Sequence, residues 1–239
     1  DKSSDTAPFK AGLELIDGYL YKAENFTSSE ISVLENGHRF LVDWEKGQKT
    51  GFFLDQRENR AAVGRYASGR NVLNLFCYTG GFSIYALANG ALHVDSVDSS
   101  AKAMVDRNVS LAGFADRHTS YCCDAIDFLK NSPEDKYDLI IVDPPAFAKH
   151  RGVLDNALRA YRRLNAAAID RVAPSGLVFT FSCSQVVDKE AFALAVFSAA
   201  AQTGRRVRIL DRMNQPADHP VSIYHPEGEY LKGLLLYVE

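Results

Sequence analysis

No C-x-x-C pair occurs in this sequence. Its four cysteines, Cys77, Cys122, Cys123 and Cys183, stand singly or as an adjacent couple that cannot easily bridge itself. That excludes a disulfide framework and a thiol-based zinc site, and it fits a reducing compartment. Long hydrophobic runs are missing too: "LIIV" and "AFALAVFSAAA" fall well short of the roughly 20 apolar residues that cross a bilayer. The opening "DKSSDTAPFK" has no basic stretch followed by an apolar one, so a secretory signal is not expected and the cytoplasm is. Positive charge is not in excess, since 27 Lys and Arg against 30 Asp and Glu leave a net −3. Such a balance does not advertise a polyanion partner. Only the local clusters "LRAYRRLN" and "GRRVRIL" are basic, and each reads at least as readily as a solvated face. No His/Cys cluster argues for a metal.

What is present is the rhythm of an α/β protein, with 46% hydrophobic residues to build a core. From residue 70 onward the strand-like runs "RNVLNLF", "HVDSVD", "RHTSYCC", "YDLIIVD", "GLVFTFS", "RVRILDR" and a final "YLKGLLLYVE" alternate with helical segments, which predicts βαβ units and a mostly parallel sheet. The helix "DNALRAYRRLNAAAIDRVAPSG" is expected to stop at Pro174 and Gly176. Residues 9–55 differ in texture, with short strand-like pieces "GYLYKAE", "HRFLVDW" and "GFFLD" broken by the turn signals "IDG", "ENG" and "EKGQ". The expected organisation is a β-rich segment over 1–60 followed by a catalytic domain over 61–239.

Candidate ligand groups fall at successive strand ends. "NVLNLFCYTGGFSIYAL" reads as strand, glycine turn and helix, a place where backbone N–H groups can face a ligand. After Gly80 and Gly81 come Phe82 and Ser83, so the G-x-G-x-x-G dinucleotide fingerprint is broken and NAD is disfavoured. Asp98 lies about twenty residues on, where an acid accepts both hydroxyls of a ribose. Asp124 ends the next strand, where a carboxylate could accept from an adenine amino group. Each acid alone is more often a helix cap. "VDPPAFAK" then stiffens the next strand end at Asp143, Pro144 and Pro145. Similar turns grip the amino group of a base in adenine-N6 methyltransferases, although Phe147 comes one residue late. "FTFSCSQ" sets Cys183 at the end of a buried strand, as inert filling or as a nucleophile.

The segments "QKTGFFLDQRENR", "VLNLFCYTGGFS", "VDSS", "DLIIVDPPAFAK", "FTFSCSQ", "ADHP" and "PEGEYLKG" together resemble the RlmI-type bacterial methyltransferases, which make 5-methylcytosine in 23S ribosomal RNA; the resemblance spans about residues 35–239. It implies a Rossmann-like class I fold whose seven-stranded, mostly parallel sheet ends in an antiparallel hairpin, with S-adenosylmethionine as cofactor and RNA as partner. A homodimer is compatible with it. The family's N-terminal PUA RNA-binding domain has no counterpart here, so the expectation is a fragment or a chain with reduced RNA binding. For the cofactor, the resemblance implies Phe53, Asp55, Gln56 and Arg57 folding over the methionine end, with Arg57 pairing with its carboxylate. It implies Cys77, Tyr78, Thr79, Gly80 and Gly81 along methionine and ribose, then Asp98 with Ser99, Asp124 with Ala125, and Asp143 with Pro144. The base would meet Pro144, Pro145, Phe147 and Lys149.

Relatives that methylate guanine nitrogen 7 lack the cysteine, so "SCS" places this chain with the cytosine-type members. Carbon 5 of cytosine is a poor nucleophile until a thiolate adds to carbon 6, which gives Cys183 the nucleophile's role and Asp143 an electrostatic one. A lowered thiol pKa is expected, with neighbouring polar groups or the N-terminus of the helix beginning near Asp188 as its source. The second cysteine that releases the product in many such enzymes is absent. The base is therefore unassigned, with Asp143 or water ahead of Lys149 or His219, while Glu227 reads as a turn residue. Methylation of a base nitrogen or a protein, or a non-catalytic RNA-binding module of the same fold, stand as alternatives.

Overall fold

The "ENG" signal closes a hairpin. In the computed structural model, which describes residues 17–100, 102–134, 136–148 and 150–239, β1 (Glu30–Glu35) pairs antiparallel with β2 (His38–Asp43). Asn36 at φ 49° and Gly37 at φ 83° join them, the two left-handed positions that match a two-residue loop to the twist of its strands. β1 is not among the strands expected from the sequence. "GYLYKAE", which is, forms none over its described residues: Tyr19 packs edge-on against Phe26 at 5.2 Å, and the Lys22 ammonium lies over both rings. Its aromatic residues are spent on a local cluster. Residues 9–16 of the expected β-rich segment lie outside the described residues.

"GFFLD" is not a strand either. Leu54–Gln56 make one 3-10 turn that runs directly into α1 (Arg57–Ala67). Phe52 is buried against Phe40 at 4.8 Å, under the guanidinium of Arg60, so the aromatic run packs rather than pairs.

The remaining elements alternate as expected: β3 (Asn71–Leu75), α2 (Gly81–Ala88), β4 (His93–Asp98), α3 (Lys102–Leu111), β5 (His118–Cys122), α4 (Ala125–Asn131), β6 (Tyr137–Val142), α5 (Leu154–Arg171), β7 (Val172–Ser182), α6 (Lys189–Thr203), β8 (Val207–Asn214) and β9 (Lys232–Val238). The sheet order is β5-β4-β3-β6-β7-β9-β8, and β9 runs antiparallel to both of its neighbours. Along β6, Ile140 and Val142 join the core that includes α4, α5 and α6, while Leu139 and Ile141 join the core of α1, α2 and α3. A strand covered on both faces has no polar side to present, hence the unbroken "LIIV".

α5 ends at Arg171, and Val172 already belongs to β7, three residues before the expected stop. Pairing with β6 then jumps from Tyr137↔Val172 to Leu139↔Leu177, so "APSG" is a bulge inside the strand. Gly176 is required there, since a Cβ would sit 2.5 Å from Val172 Cγ2.

The hairpin is bonded to the main sheet's helices. Arg60 holds both carboxylate oxygens of buried Glu35 at 2.8 and 2.7 Å, Tyr85 donates to Glu35 at 3.1 Å, and the Leu41 amide donates to Asn108 at 2.6 Å. Among the described residues, no helix is long and apolar enough to cross a membrane.

Candidate active site

The chain reverses its direction of travel across the sheet between β3 and β6, and an open α/β sheet has its natural crevice at the carboxyl ends of such strands. A cavity of about 370 Å³ lies there, within the range of small-molecule sites. Phe53, Asp55 and Gln56 line it, as do Cys77, Tyr78, Thr79, Gly81, Asp98, Ser99, Asp143, Pro144, Pro145 and Cys183. Residues up to 130 positions apart in sequence therefore converge as expected.

The floor beside β3 and β4 is set by short-range bonds. Phe76 (φ 60°) and Tyr78 (φ 45°) take left-handed conformations that non-glycine residues adopt reluctantly. This turn directs the Tyr78 amide onto Asp98 Oδ2 at 3.0 Å, while Asp98 Oδ1 accepts from the Ser100 amide at 2.9 Å and its hydroxyl at 3.2 Å. The carboxylate is thereby fixed in orientation. Gly80 (φ 82°) does not line the cavity; its missing side chain makes room for Val105, whose Cγ2 would meet a Cβ at 2.6 Å. Cys77 is buried, and burial, then Asp98, pushes its thiol far up, so it stays protonated and does not compete as a nucleophile.

The roof is the segment between β2 and α1. The Gln48 amide donates to the Tyr78 hydroxyl at 2.9 Å, and Phe53 meets the Tyr78 ring edge-on at 5.5 Å. Arg57, expected over the methionine end, lies outside the cavity lining and pairs with Glu58 and with Asp218, the latter at 2.5 Å. The arginine that does line the cavity is Arg60, 3% exposed and bonded to Glu35 and the Phe53 carbonyl. Helical periodicity explains the exchange: α1 turns Asn59, Arg60 and Val63 inward and leaves residue 57 on its outer side.

Asp143 and Cys183 form the other part. Gln56 Nε2 donates to Asp143 Oδ1 at 3.0 Å, and Asn59 holds the Gln56 amide oxygen at 2.6 Å. Burial, and next the Asp55 carboxylate, pushes Asp143 up to about 7. Asp55 itself accepts from the Tyr230 hydroxyl at 2.7 Å. Cys183 is half-buried between two buried serines. Ser182 donates to the Tyr161 hydroxyl at 2.9 Å, and Ser184 lies 3.2 Å from that same hydroxyl while accepting from the Ala148 amide. The serines grip Tyr161 and Cys183 lines the cavity, so the thiol is not sealed in the core.

The expected lowering of that thiol is overturned. Burial first, then Asp143, pushes Cys183 up to about 11, with Lys49 opposing. The N-terminus of α6 is capped by Asp188, which accepts from the Ala191 amide at 2.7 Å. Other expected residues also sit elsewhere. Asp124 caps α4 through the Ile126 and Asp127 amides, and neither it nor Ala125 lines the cavity. Phe147 packs against Tyr161 at 4.8 Å, the residue after Pro145 that does line the cavity being Ala146. Lys149 lies outside the described residues. His219 pairs with Asp218, and exposed Glu227 with His225. Among the described residues, no three His, Cys, Asp or Glu side chains gather as a metal site would require. Tyr161, Arg60 and Tyr230 were not singled out: Tyr161 stands in α5 outside the quoted segments, and Arg60 and Tyr230, although inside "QKTGFFLDQRENR" and "PEGEYLKG", carry no local cue that they turn towards the cavity.

Comparison with known proteins agrees with this geometry. The chain is 39% identical over 234 residues to ribosomal RNA large subunit methyltransferase I of Shewanella amazonensis, with 96% of this chain and 59% of that protein covered. It is 42% identical to the protein of the same name from Alteromonas mediterranea, with 96% and 58% covered. The chain thus spans about three fifths of the length of the curated relatives it matches. Among solved structures, the SAH complex of SMU.776 superposes with a TM-score of 0.81 at 27% identity, over 92% of this chain and 58% of that one. Residues 22–236 match the model of the S-adenosylmethionine-dependent methyltransferases, and with the crevice and the sheet order in agreement, the chain belongs to that family.

Proposed function

We propose that the chain methylates carbon 5 of a cytosine in 23S ribosomal RNA through a covalent adduct with Cys183. The observation that carries this reading is the presence of the Cys183 thiol in the same cavity lining as Asp98, Asp143 and the paired prolines. The relatives' name, ribosomal RNA large subunit methyltransferase I, supports RNA as the substrate.

The residues present fit the family's cofactor, which supplies an electrophilic methyl group on a cationic sulfur. Asp98, held in one orientation by three donors, is assigned to the ribose hydroxyls, and the loop 77–79 with the Phe53 roof to the remainder. Asp143 is assigned to the pyrimidine ring nitrogen and amino edge, with Pro144 and Pro145 holding the ring plane. With its proton exchanging near neutral pH, Asp143 can donate to the ring as charge builds there. The Cys183 thiolate, its proton released to solvent, would bond to carbon 6 as the carbon 5–carbon 6 double bond opens towards the methyl group the cofactor supplies, whose bond to the cationic sulfur would break, and the carbon 5 proton would leave to water or the ionised Asp143. The carbon 6–sulfur bond then breaks and returns the thiolate.

Replacing Cys183 by alanine is expected to reduce methyl transfer to RNA by roughly 10⁴-fold or more while leaving S-adenosylmethionine affinity intact. Full transfer by Cys183→Ala would sink the covalent reading. A second reading, methylation at a base nitrogen, is favoured by the raised pKa of Cys183, since lone-pair attack needs no thiolate. Mass analysis of the product nucleosides separates 5-methylcytosine from an N-methylated base.

A further inference from the structure

Lys232 is a buried charge to which the reaction above gives no task. It is 5% exposed, at the start of β9, and pairs across the strands with Ser182. Its Nζ donates to the Ser184 carbonyl at 2.7 Å and the Val187 carbonyl at 2.5 Å. One ammonium therefore ties two carbonyls of the turn that follows Cys183, while the backbone of the same residue pairs with the strand that precedes it. Neutral donors would satisfy two carbonyls at a smaller desolvation cost than a full charge. Among the described residues, no carboxylate is hydrogen-bonded to it.

We infer that Lys232 is a positioning residue for Cys183: its ammonium pins the 184–187 turn and supplies the positive charge that favours the thiolate. The inference rests on the covalent reading of the same site. No bond to Lys232 forms; the Cys183 S–H bond breaks, its proton passes to solvent, and the ammonium remains. Cys183, Asp188 and Glu229 favour the charge on Lys232, while burial, foremost, and Lys189 oppose it, leaving it at about 8. The charges foremost at Cys183 are Asp143 and Asp55, which disfavour the thiolate, and Lys49, which favours it, with the phenols of Tyr161 and Tyr230 nearby; Lys232 couples to Cys183 through its own titration. The cation is thus present at pH 7 and lost as pH rises through about 8.

The test is the pH profile of Cys183 alkylation by iodoacetamide, read by peptide mass spectrometry on the full chain without RNA. Lys232→Gln keeps the N–H donors and removes the charge. Its Cys183 alkylation at pH 7 is expected to fall about tenfold, the effect of raising the thiol by one pKa unit, with cofactor affinity retained and Lys232→Arg near the wild-type rate. A Lys232→Gln profile that overlays wild type overturns the inference. Should that variant not fold, the wild-type profile decides, because loss of the ammonium must place an inflection near pH 8 and a profile without it rejects the role. Failure here leaves the Cys183→Ala result on RNA untouched, so the two ideas fail separately.

Discussion

The two parts of the cavity are held by different means. Beside β3 and β4, Asp98 takes its three hydrogen bonds from residues no more than 20 positions away, and a strained local turn sets the geometry. Beside β6 and β7, Asp143 is held by Gln56, 87 positions distant, and Cys183 sits between serines bonded to Tyr161, more than 20 positions away. Both groups there are pushed towards their neutral forms by burial. Recognition is encoded by a short stretch of chain, whereas reactivity is encoded by what the fold packs around two side chains.

Changes on the two sides should therefore separate in kinetics. The largest effect after loss of Cys183 is expected from Asp143→Asn, with kcat falling roughly 10²–10³-fold and cofactor Kd little changed. Its pKa is raised from 3.8 to about 7, so the native state holds a proton that the unfolded chain releases, and stability falls as pH rises from about 4 to 7. Asp143→Asn should flatten that slope in denaturant titrations. Asp98→Ala is expected to do the opposite in kinetics, weakening cofactor binding by roughly 10–100-fold, as loss of hydrogen bonds to a charged acceptor does. Calorimetry reads this, and an unchanged Kd would break the contrast between the two sides.

Gly80→Ala tests the local turn itself. A left-handed alanine that also meets Val105 should cost about 1–3 kcal/mol, measured as a lower urea midpoint with an unchanged slope. The smallest effect is expected from Arg57→Ala, an exposed pair with Asp218 and Glu58, which should change cofactor affinity by less than about twofold. A large loss would return Arg57 to the cofactor.

The parallel sheet was legible because short strand-like runs alternate with helical segments, and β3, β4, β6 and β7 were placed from "NVLNL", "HVDSVD", "YDLIIV" and "GLVFTFS". The strand-end residues Asp98, Asp143 and Cys183 followed, since position at a strand end is a sequence property. The segment 51–55 was misread as a strand because its aromatic residues suit a sheet as well as a core, and only packing against Phe40 and Arg60 distinguishes the two. Asp124 shows the reverse case: the cap reading, available from sequence, was the one its carboxylate fulfils.

What the sequence determined by itself is the order of elements and the residues delivered to the carboxyl edge of the sheet, because hydrophobic period and turn chemistry are local properties of the chain. Tertiary structure alone decided which arginine of α1 faces the cavity, that Asp143 exchanges its proton near neutrality, and that a buried lysine lies beside Cys183 on a strand almost fifty residues later. These are properties of distance and desolvation, and neither exists until the chain has folded.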